Sequence, residues 1–392
     1  MRYGKVLITG GLGFIGRHVA DLVAGQGREV MLFDNLSSQV HGAVPEIREQ
    51  ALLRRHGIEV CRGDVRFPAD WEKVLPGVQQ VVHLAAETGT AQSMYEISRF
   101  TETNVAGTAG LLNYLANHKH QVEKIILASS RSVYGEGAYN CEQCGLVYPA
   151  MRTEPMLRAG EWDPRCAGCY GSIVPAATPE DARLAPSSIY AATKLAQEQL
   201  VRIATEALGI PALILRMQNV YGEGQSLRNP YTGILSIFSN QLCLGKTLNL
   251  YEDGQESRDF VHVSDAARAI VLGLTSQATD GKTLNVGSGC ATTIEQVVLM
   301  LCEHLEIEAH YEISGEYRLG DIRHALADLT AIQSYLGFEP VMSLQRGLAC
   351  FAEWVKTQPL EQDQLARATQ ELVGRGLMPS RVTASGRGMA SD

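Results

Sequence analysis

Short apolar runs alternate with longer stretches of helical periodicity through the first 220 residues. Strand-like runs occur at Val6–Thr9, Val30–Phe33, Glu59–Cys61, Gln80–Leu84, Lys124–Ala128 and Ala212–Arg216. Between them, apolar positions recur at helical spacing over Phe14–Gln26, Val105–His118 and Ile189–Leu208. Strand, helix and strand repeated in this way predict a parallel sheet wrapped by helices. A late run, Lys282–Val286, is expected to join the same sheet. The rhythm breaks at Glu136–Arg183, a stretch rich in Gly, Pro and Ala that reads as an insertion on the scaffold. Mixed patterns in Tyr221–Glu256 and Ala291–Thr357 suggest a smaller unit. Beyond Pro359 come an amphipathic stretch, Glu361–Gly374, and a Ser-, Gly- and Ala-rich tail, Pro379–Asp392, expected to be disordered.

Composition adds bounds. The chain has 392 residues, 45% apolar and 20% charged, ordinary values for a globular protein. No run approaches the roughly 18 uncharged apolar residues of a membrane span. Met1–Lys5 leads straight into a strand pattern, so no signal peptide and a cytoplasmic location are expected. The net charge is −9 without any Lys/Arg block, which argues against a nucleic-acid partner. Nine cysteines without a secretory signal point to thiols or a metal site before a disulfide framework.

Chemistry gathers at strand ends. Gly10, Gly13 and Gly16, in Thr9–Gly16, lie between the first strand and the first helix. Glycines so spaced allow a tight turn, close approach of backbone to a pyrophosphate, and close helix–strand packing. Asp34 ends the next strand, where a carboxylate suits ribose hydroxyls and repels a 2′-phosphate, favouring NAD over NADP. Asp64 follows the third strand and reads either as an acceptor for the adenine amino group or as a turn residue capping its own backbone. Ser129-Ser130-Arg131-Ser132 closes the fifth strand, on the side where open parallel sheets bind ligands. Tyr190 and Lys194 open the helix after the insertion, and their i, i+4 spacing puts them on one face. An ammonium and a nicotinium nearby would make the phenol a usable base near neutral pH. Cys141-x-x-Cys144 and Cys166-x-x-Cys169, with 21 residues between the pairs, have the form of two zinc knuckles. Four thiolate ligands close the shell, so such a zinc would be structural.

In combination these motifs make the chain resemble the extended short-chain dehydrogenase/reductases, and among them the nucleotide-sugar epimerases related to UDP-galactose 4-epimerase. The resemblance covers roughly residues 3–358. It implies Tyr190 as catalytic base, Lys194 as its orienting partner on the nicotinamide ribose, and Ser130 as the hydroxyl partner. It implies cofactor contacts from Gly10, Gly13, Phe14, Ile15, Asp34, Asn35, Asp64, Val65, Leu84, Ala85, Ala86, Asn104, Tyr190, Lys194 and Gln218. Substrate contacts fall to Ser130, Asn219, Arg258 and Arg318, the two arginines holding a sugar diphosphate. Related 4,6-dehydratases carry an Asp-Glu pair where this chain has Arg131 and Ser132, which disfavours water elimination. The cysteine insertion, with Asn229–Ile234, is similar to the subgroup associated with dTDP-L-rhamnose 4-epimerase.

The expectation is therefore an α/β, Rossmann-like doubly wound parallel sheet, a smaller discontinuous substrate-binding domain and a Cys-rich insertion. Residues 1–135, 184–220 and 257–290 are expected to bind NAD, and 221–256 with 291–358 the nucleotide sugar. Residues 136–183 are expected to hold zinc through Cys141, Cys144, Cys166 and Cys169, and 359–392 to be a partly disordered extension. The resemblance also implies a homodimer through the helices near Val105–His118 and Ile189–Leu208, with Leu111, Leu112, Leu115, Leu195 and Leu200 serving either that contact or the sheet. Two other functions stay open: a reductase of 4-keto nucleotide sugars consuming external NAD(P)H, and a non-catalytic dinucleotide sensor.

Overall fold

The computed structural model describes residues 4–42, 58–231, 233–359 and 364–378. Thr232 and the tail Pro379–Asp392 lie outside the described residues. Seven strands form the central sheet: β1 (Lys5–Thr9), β2 (Val30–Asp34), β3 (Glu59–Arg62), β4 (Val78–His83), β5 (Lys124–Ser130), β6 (Ala212–Met217) and β7 (Thr283–Val286). Their order is β7-β6-β5-β4-β1-β2-β3, and every pairing is parallel. Helices cover both faces, which is why β2 (VMLFD) and β6 (ALILRM) are buried at every position rather than alternating. The chain runs outward through β2 and β3, then returns to the other side of β1 for β4. That reversal opens a crevice at the carboxyl ends of β1 and β4, where such sheets bind ligands.

One core packs the Phe14–Gly25 and Val263–Thr275 helices on one face of the sheet. The other face is covered by Gly107–Asn117 and Ile189–Leu208. Leu111, Leu112 and Leu115 belong to this second core and are almost fully buried, so within the chain they serve the sheet. The Ile189–Leu208 helix starts at Ser188, whose hydroxyl accepts from the Ala191 N–H, and stops at Gly209 in the left-handed region (φ 67°). The stretch expected as one helix from Val105 is instead a wide π-turn, Thr101–Ala106, running into the α-helix at Gly107. Asn104 sits in that turn, where its side chain accepts from the Glu87 N–H (2.8 Å) and donates to the Glu87 carbonyl (3.1 Å) and Thr193 Oγ1 (3.0 Å).

A third core lies among a three-stranded sheet, Asn219–Tyr221, Ser257–His262 and Ala291–Thr293, and the helices Ile234–Cys243, Ile294–Leu305 and Leu344–Lys356. Within the insertion, Tyr139–Cys141 pairs antiparallel with Gly145–Val147 and with Val174–Pro175. Its own core is small: Tyr139, Cys141, Cys166 and Ile173. The described part of the C-terminal extension forms the helix Leu365–Gly374. Among the described residues, no helix is long and apolar enough to cross a membrane.

Candidate active site

A cleft of about 460 Å³ opens at the switch point. Gly10 forms its floor with φ +64°, and a Cβ there would lie 2.9 Å from the Ala85 amide nitrogen. A Cβ on Gly16 would lie 2.4 Å from the Gly10 carbonyl oxygen, so the first helix can approach the loop only with glycine there. Asp34 caps the turn: its carboxylate accepts from the N–H of Leu12 (3.1 Å) and of Leu36 (2.8 Å). His83 is sealed between Thr9 and Thr108, and burial, with help from the Lys194 charge, lowers it to about 3. It is a neutral packing residue.

The cleft wall includes Gly10, Gly13, Phe14, Ile15, Asp34, Asn35, Val65, Leu84, Ala85 and Ala86. Across from them stand Ser130, Tyr190, Lys194, Gln218 and Asn219. Four expected site residues stand off this wall: Asp64, Asn104, Arg258 and Arg318. Of the two readings of Asp64, the structure realises the turn. Its Oδ1 accepts from the Arg66 N–H (3.0 Å), and Arg66 and Asn35 occupy the rest of the carboxylate. Gln218 Oε1 is buried with no partner among the described residues, an acceptor left over for a ligand.

At the reacting end, Ser130 Oγ accepts from the Ser132 N–H (3.2 Å) and meets Ser132 Oγ at 3.0 Å. Burial pushes the Tyr190 phenol up, while a hydrogen bond with Ser130 and the Arg131 charge pull it back. Lys194 Nζ donates to the Ala128 carbonyl (2.9 Å), which fixes the side chain and leaves two of its three N–H groups for a ligand. Burial lowers Lys194 to about 8, with Glu198 acting to raise it. Arg131, which the sequence reading noted only where a carboxylate is missing, also lines the cleft.

Behind these groups lies a buried network that the sequence reading did not find. Arg216 grips both oxygens of Glu198 (2.9 and 2.8 Å), and Ser129 Oγ donates to the same carboxylate (2.5 Å). Arg216 also donates to Tyr134 Oη (2.9 Å) and the Glu180 carbonyl (2.8 Å). The network ties β5 and β6 to the helix that carries Tyr190. One signal was available: Glu198 is i+4 from Lys194 and so shares its face.

Arg258 is buried and spent on the fold. Its guanidinium donates to the Ser257 carbonyl (2.9 Å), the Arg323 carbonyl (2.9 Å), the Ile322 carbonyl (2.9 Å) and Asp321 Oδ1 (3.1 Å). Arg318 lies over the Tyr251 ring at 4.6 Å, with its Nε unpartnered among the described residues. Burial opposes ionisation of Asp321, yet Arg258, Arg318, Arg131 and Arg152 together hold its carboxyl below the usual range. From the C-terminal helix, Glu371 accepts from Tyr95 Oη (3.0 Å) and Tyr231 Oη (3.1 Å), and Tyr231 lines the cleft.

The four insertion cysteines converge, with all Sγ atoms within 4.8 Å of one another and Cys141 and Cys169 at 3.4 Å. Gly168 and Gly171 pass so close that a Cβ on either would lie 3.2 Å from a cysteine sulfur. Backbone N–H groups of Cys169 and Gly168 lower Cys166 to about 6. The insertion is welded to the body by a buried ion network. Arg152 bridges Glu136 (3.3 Å) and Glu252 (2.7 Å), and Arg323 bridges Glu252 (3.1 Å), Asp253 (2.7 Å) and Asp163 (2.9 Å).

The NAD dependent epimerase/dehydratase family matches residues 6–151 and 166–287, and the gap between falls inside the cysteine insertion. A dTDP-L-rhamnose 4-epimerase of Burkholderia thailandensis is 39% identical over 353 residues, covering 90% of this chain and 94% of its own. Among solved structures, a UDP-glucose 4-epimerase of Thermotoga maritima with UDP-glucose is similar at 28% identity and a TM-score of 0.71, covering 90% of this chain and 98% of its own. A UDP-glucuronic acid 4-epimerase of Bacillus cereus, in complex with UDP-glucuronic acid and NAD, is similar at 25% identity and a TM-score of 0.74, covering 90% and 99%. With its seven-stranded parallel sheet and glycine-floored cleft, this chain belongs to the NAD dependent epimerase/dehydratase family, among the extended short-chain dehydrogenase/reductase nucleotide-sugar epimerases.

Proposed function

We propose that the chain is an NAD-dependent nucleotide-sugar 4-epimerase, and that its substrate is dTDP-L-rhamnose, converted to dTDP-6-deoxy-L-talose. The carrying observation is that Ser130, Tyr190 and Lys194 line one cleft with the Gly10–Gly16 loop. The sugar and base are inferred from the Burkholderia thailandensis relative. The residues fit NAD: Gly10 is a cradle that a Cβ would fill, Gln218 offers an unpartnered buried acceptor, and Asp34 ends β2. Bound in that cradle, NAD would supply the hydride acceptor for C4 and the hydride returned to its other face.

The protein's part is proton transfer, orientation and charge. Tyr190, as phenolate, takes the proton of the C4 hydroxyl, with Ser130 holding that hydroxyl. Lys194, braced on the Ala128 carbonyl, would hold the cofactor ribose with its remaining N–H groups. The 4-keto sugar then turns about its diphosphate linkage, and Tyr190 returns the proton. Arg318, off the cleft wall but with an Nε that has no partner among the described residues, is assigned to the diphosphate, and Asn219 contributes a polar side chain on the cleft wall. Arg258 is given a supporting role, holding the 321–323 segment. Residues 1–135, 184–220 and 257–290 are assigned to the cofactor, and 221–256 with 291–358 to the nucleotide sugar. The four cysteines fit a structural zinc, since their sulfurs already meet at one point.

Incubation with UDP-, dTDP- and GDP-sugars, read by NMR, tests the function. C4 inversion of dTDP-L-rhamnose without net cofactor consumption is expected; product formed in step with cofactor consumption would make the chain a reductase. Heat-denatured enzyme should release NAD at about one per chain, because a 2′-phosphate would meet the Asp34 carboxylate. Release of NADP would overturn the role given to Asp34. A homodimer is also proposed, through the face of the Ile189–Leu208 helix that leaves Ile203 exposed. A dimer mass by light scattering at micromolar concentration is expected, and a monomer would remove the idea.

A further inference from the structure

The C-terminal helix Leu365–Gly374 is seated on the body of the chain. Ala368 and Leu372, one turn apart on one face, are buried, and so is Met378 just beyond the helix. Its polar ties fall on segments at the substrate end of the cleft. Glu371 Oε2 lies 3.0 Å from Tyr95 Oη and 3.1 Å from Tyr231 Oη, and the two phenol oxygens are 3.0 Å apart. The Arg375 guanidinium lies over the Tyr95 ring at 4.3 Å. The Leu377 carbonyl accepts from the Leu319 N–H (3.4 Å), beside Arg318. Tyr95 stands two residues beyond Ser93, whose Oγ accepts from the Tyr190 N–H (3.0 Å), and Tyr231 lines the cleft itself. None of these segments carries a residue assigned to the cofactor.

We propose that Glu371 is a positioning residue for the sugar: from the C-terminal helix it pins Tyr231 beside Tyr95, so that Tyr231 shows the sugar a fixed aromatic face and no hydroxyl donor. The proposal rests on the nucleotide-sugar reading of the cleft and names a residue that shapes it. Counting protons gives the chemistry. The two phenols bring one hydroxyl proton each, and the carboxylate only accepts. Both phenols donate to Glu371, or one donates to the other and that one to Glu371. In every arrangement Tyr231 spends its proton inside the triangle, and what it keeps for a ligand is its ring. An aromatic face without a donor suits the C–H side of a sugar, a deoxy carbon included. Fixing the ring matters as much as its polarity. A tyrosine wall free to swing must be ordered when the sugar arrives, and the clasp removes that cost beforehand. Tyr95, Tyr231 and Leu319 lie far apart in sequence, and this one helix and its C-terminal turn hold all of them.

Hydrogen exchange of Leu365–Gly374 in the full-length holoenzyme reads the clasp without turnover, comparing each UDP-, dTDP- and GDP-sugar with its free nucleotide. Slower exchange with a nucleotide sugar than with the free nucleotide is expected, and the difference should vanish in Glu371→Ala. Kinetics then separate positioning from bracing. In Glu371→Ala the KM for the nucleotide sugar should rise roughly tenfold, with a much smaller change in kcat, in bound NAD and in inhibition by the free nucleotide. Glu371→Gln keeps an acceptor oxygen and should recover most of the loss. Tyr231→Phe keeps the ring but releases it from Glu371, so it should match Glu371→Ala, and the double variant should be no worse than either. Tyr231→Phe and Tyr95→Phe, each smaller by one oxygen, give the same reading if Glu371→Ala does not fold. Exchange that no sugar in the panel slows, or a KM that rises no more than the inhibition constant of the free nucleotide, overturns the proposal. Slowed exchange without C4 inversion of any sugar would instead overturn the epimerase reading and leave the clasp standing.

Discussion

Replacing Tyr190 by phenylalanine is expected to leave the fold and bound NAD intact while lowering turnover roughly 10²–10⁴-fold, the usual contribution of a positioned general base. The substitution removes one oxygen. The ring keeps its edge-to-face contact with Phe100, and the backbone N–H keeps its bond to Ser93 Oγ at 3.0 Å. The helix cap at Ser188 does not involve the phenol. What is lost is the group that Ser130 and Arg131 act on. Burial holds this phenol above its ordinary value, and the Ser130 hydrogen bond and the Arg131 charge offset that only in part. Because the base works deprotonated, parent activity should rise with pH through the Tyr190 titration, and the residual activity of the variant should lack that limb. Steady-state kinetics with the substrate found by the sugar panel, and cofactor content after denaturation, check both halves. A variant that keeps more than about a tenth of parent turnover would remove Tyr190 from the role of base.

The features legible in the sequence were those with a local cause. β1 and β2 are short apolar runs, and the glycines after β1 are needed where backbone meets backbone, at Gly10 against Ala85. The Tyr190/Lys194 face follows from helix geometry alone. The features that escaped are set by distant partners. Arg152 finds Glu252 across 100 positions and the Asp321 carbonyl across 169, and no period along the chain announces either. The family resemblance implies Arg258 as a ligand for the sugar diphosphate. In the fold, three backbone carbonyls and Asp321 occupy its guanidinium. The π-turn at Thr101–Ala106 takes in the first residues of the pattern that begins at Val105, and Asn104 within it is tied to Glu87 and Thr193, partners that no local pattern announces.

Those long-range ties also determine what metal loss should do. Protein purified without chelator is expected to carry about one zinc per chain, held by Cys141, Cys144, Cys166 and Cys169. The insertion cannot hold itself by apolar burial. Its core is Tyr139, Cys141, Cys166 and Ile173, so half of that core is the proposed ligand set. Segments of this size, below about 40–50 residues, usually need a staple. Without metal, four sulfurs crowded at one point have only weak S–H hydrogen bonds to share, and the knuckle turns at Gly145 (φ +73°) and Gly168 lose their purpose. Chelation should therefore open the Gly145–Cys169 knuckles to protease first. The damage should then pass inward through Arg152 and Glu136, both almost wholly buried. Breaking one partner out of a buried ion pair costs about 3–5 kcal/mol, so the body resists that step. Where it yields, Arg152 also releases the Asp321 carbonyl, and Asp321 is the carboxylate on Arg258. Turnover should fall along with protease resistance, and added zinc should restore both. Elemental analysis and limited proteolysis with and without chelator check this. Less than about 0.2 zinc per chain, with the insertion equally resistant in both conditions, would mean four free thiols that hold no metal.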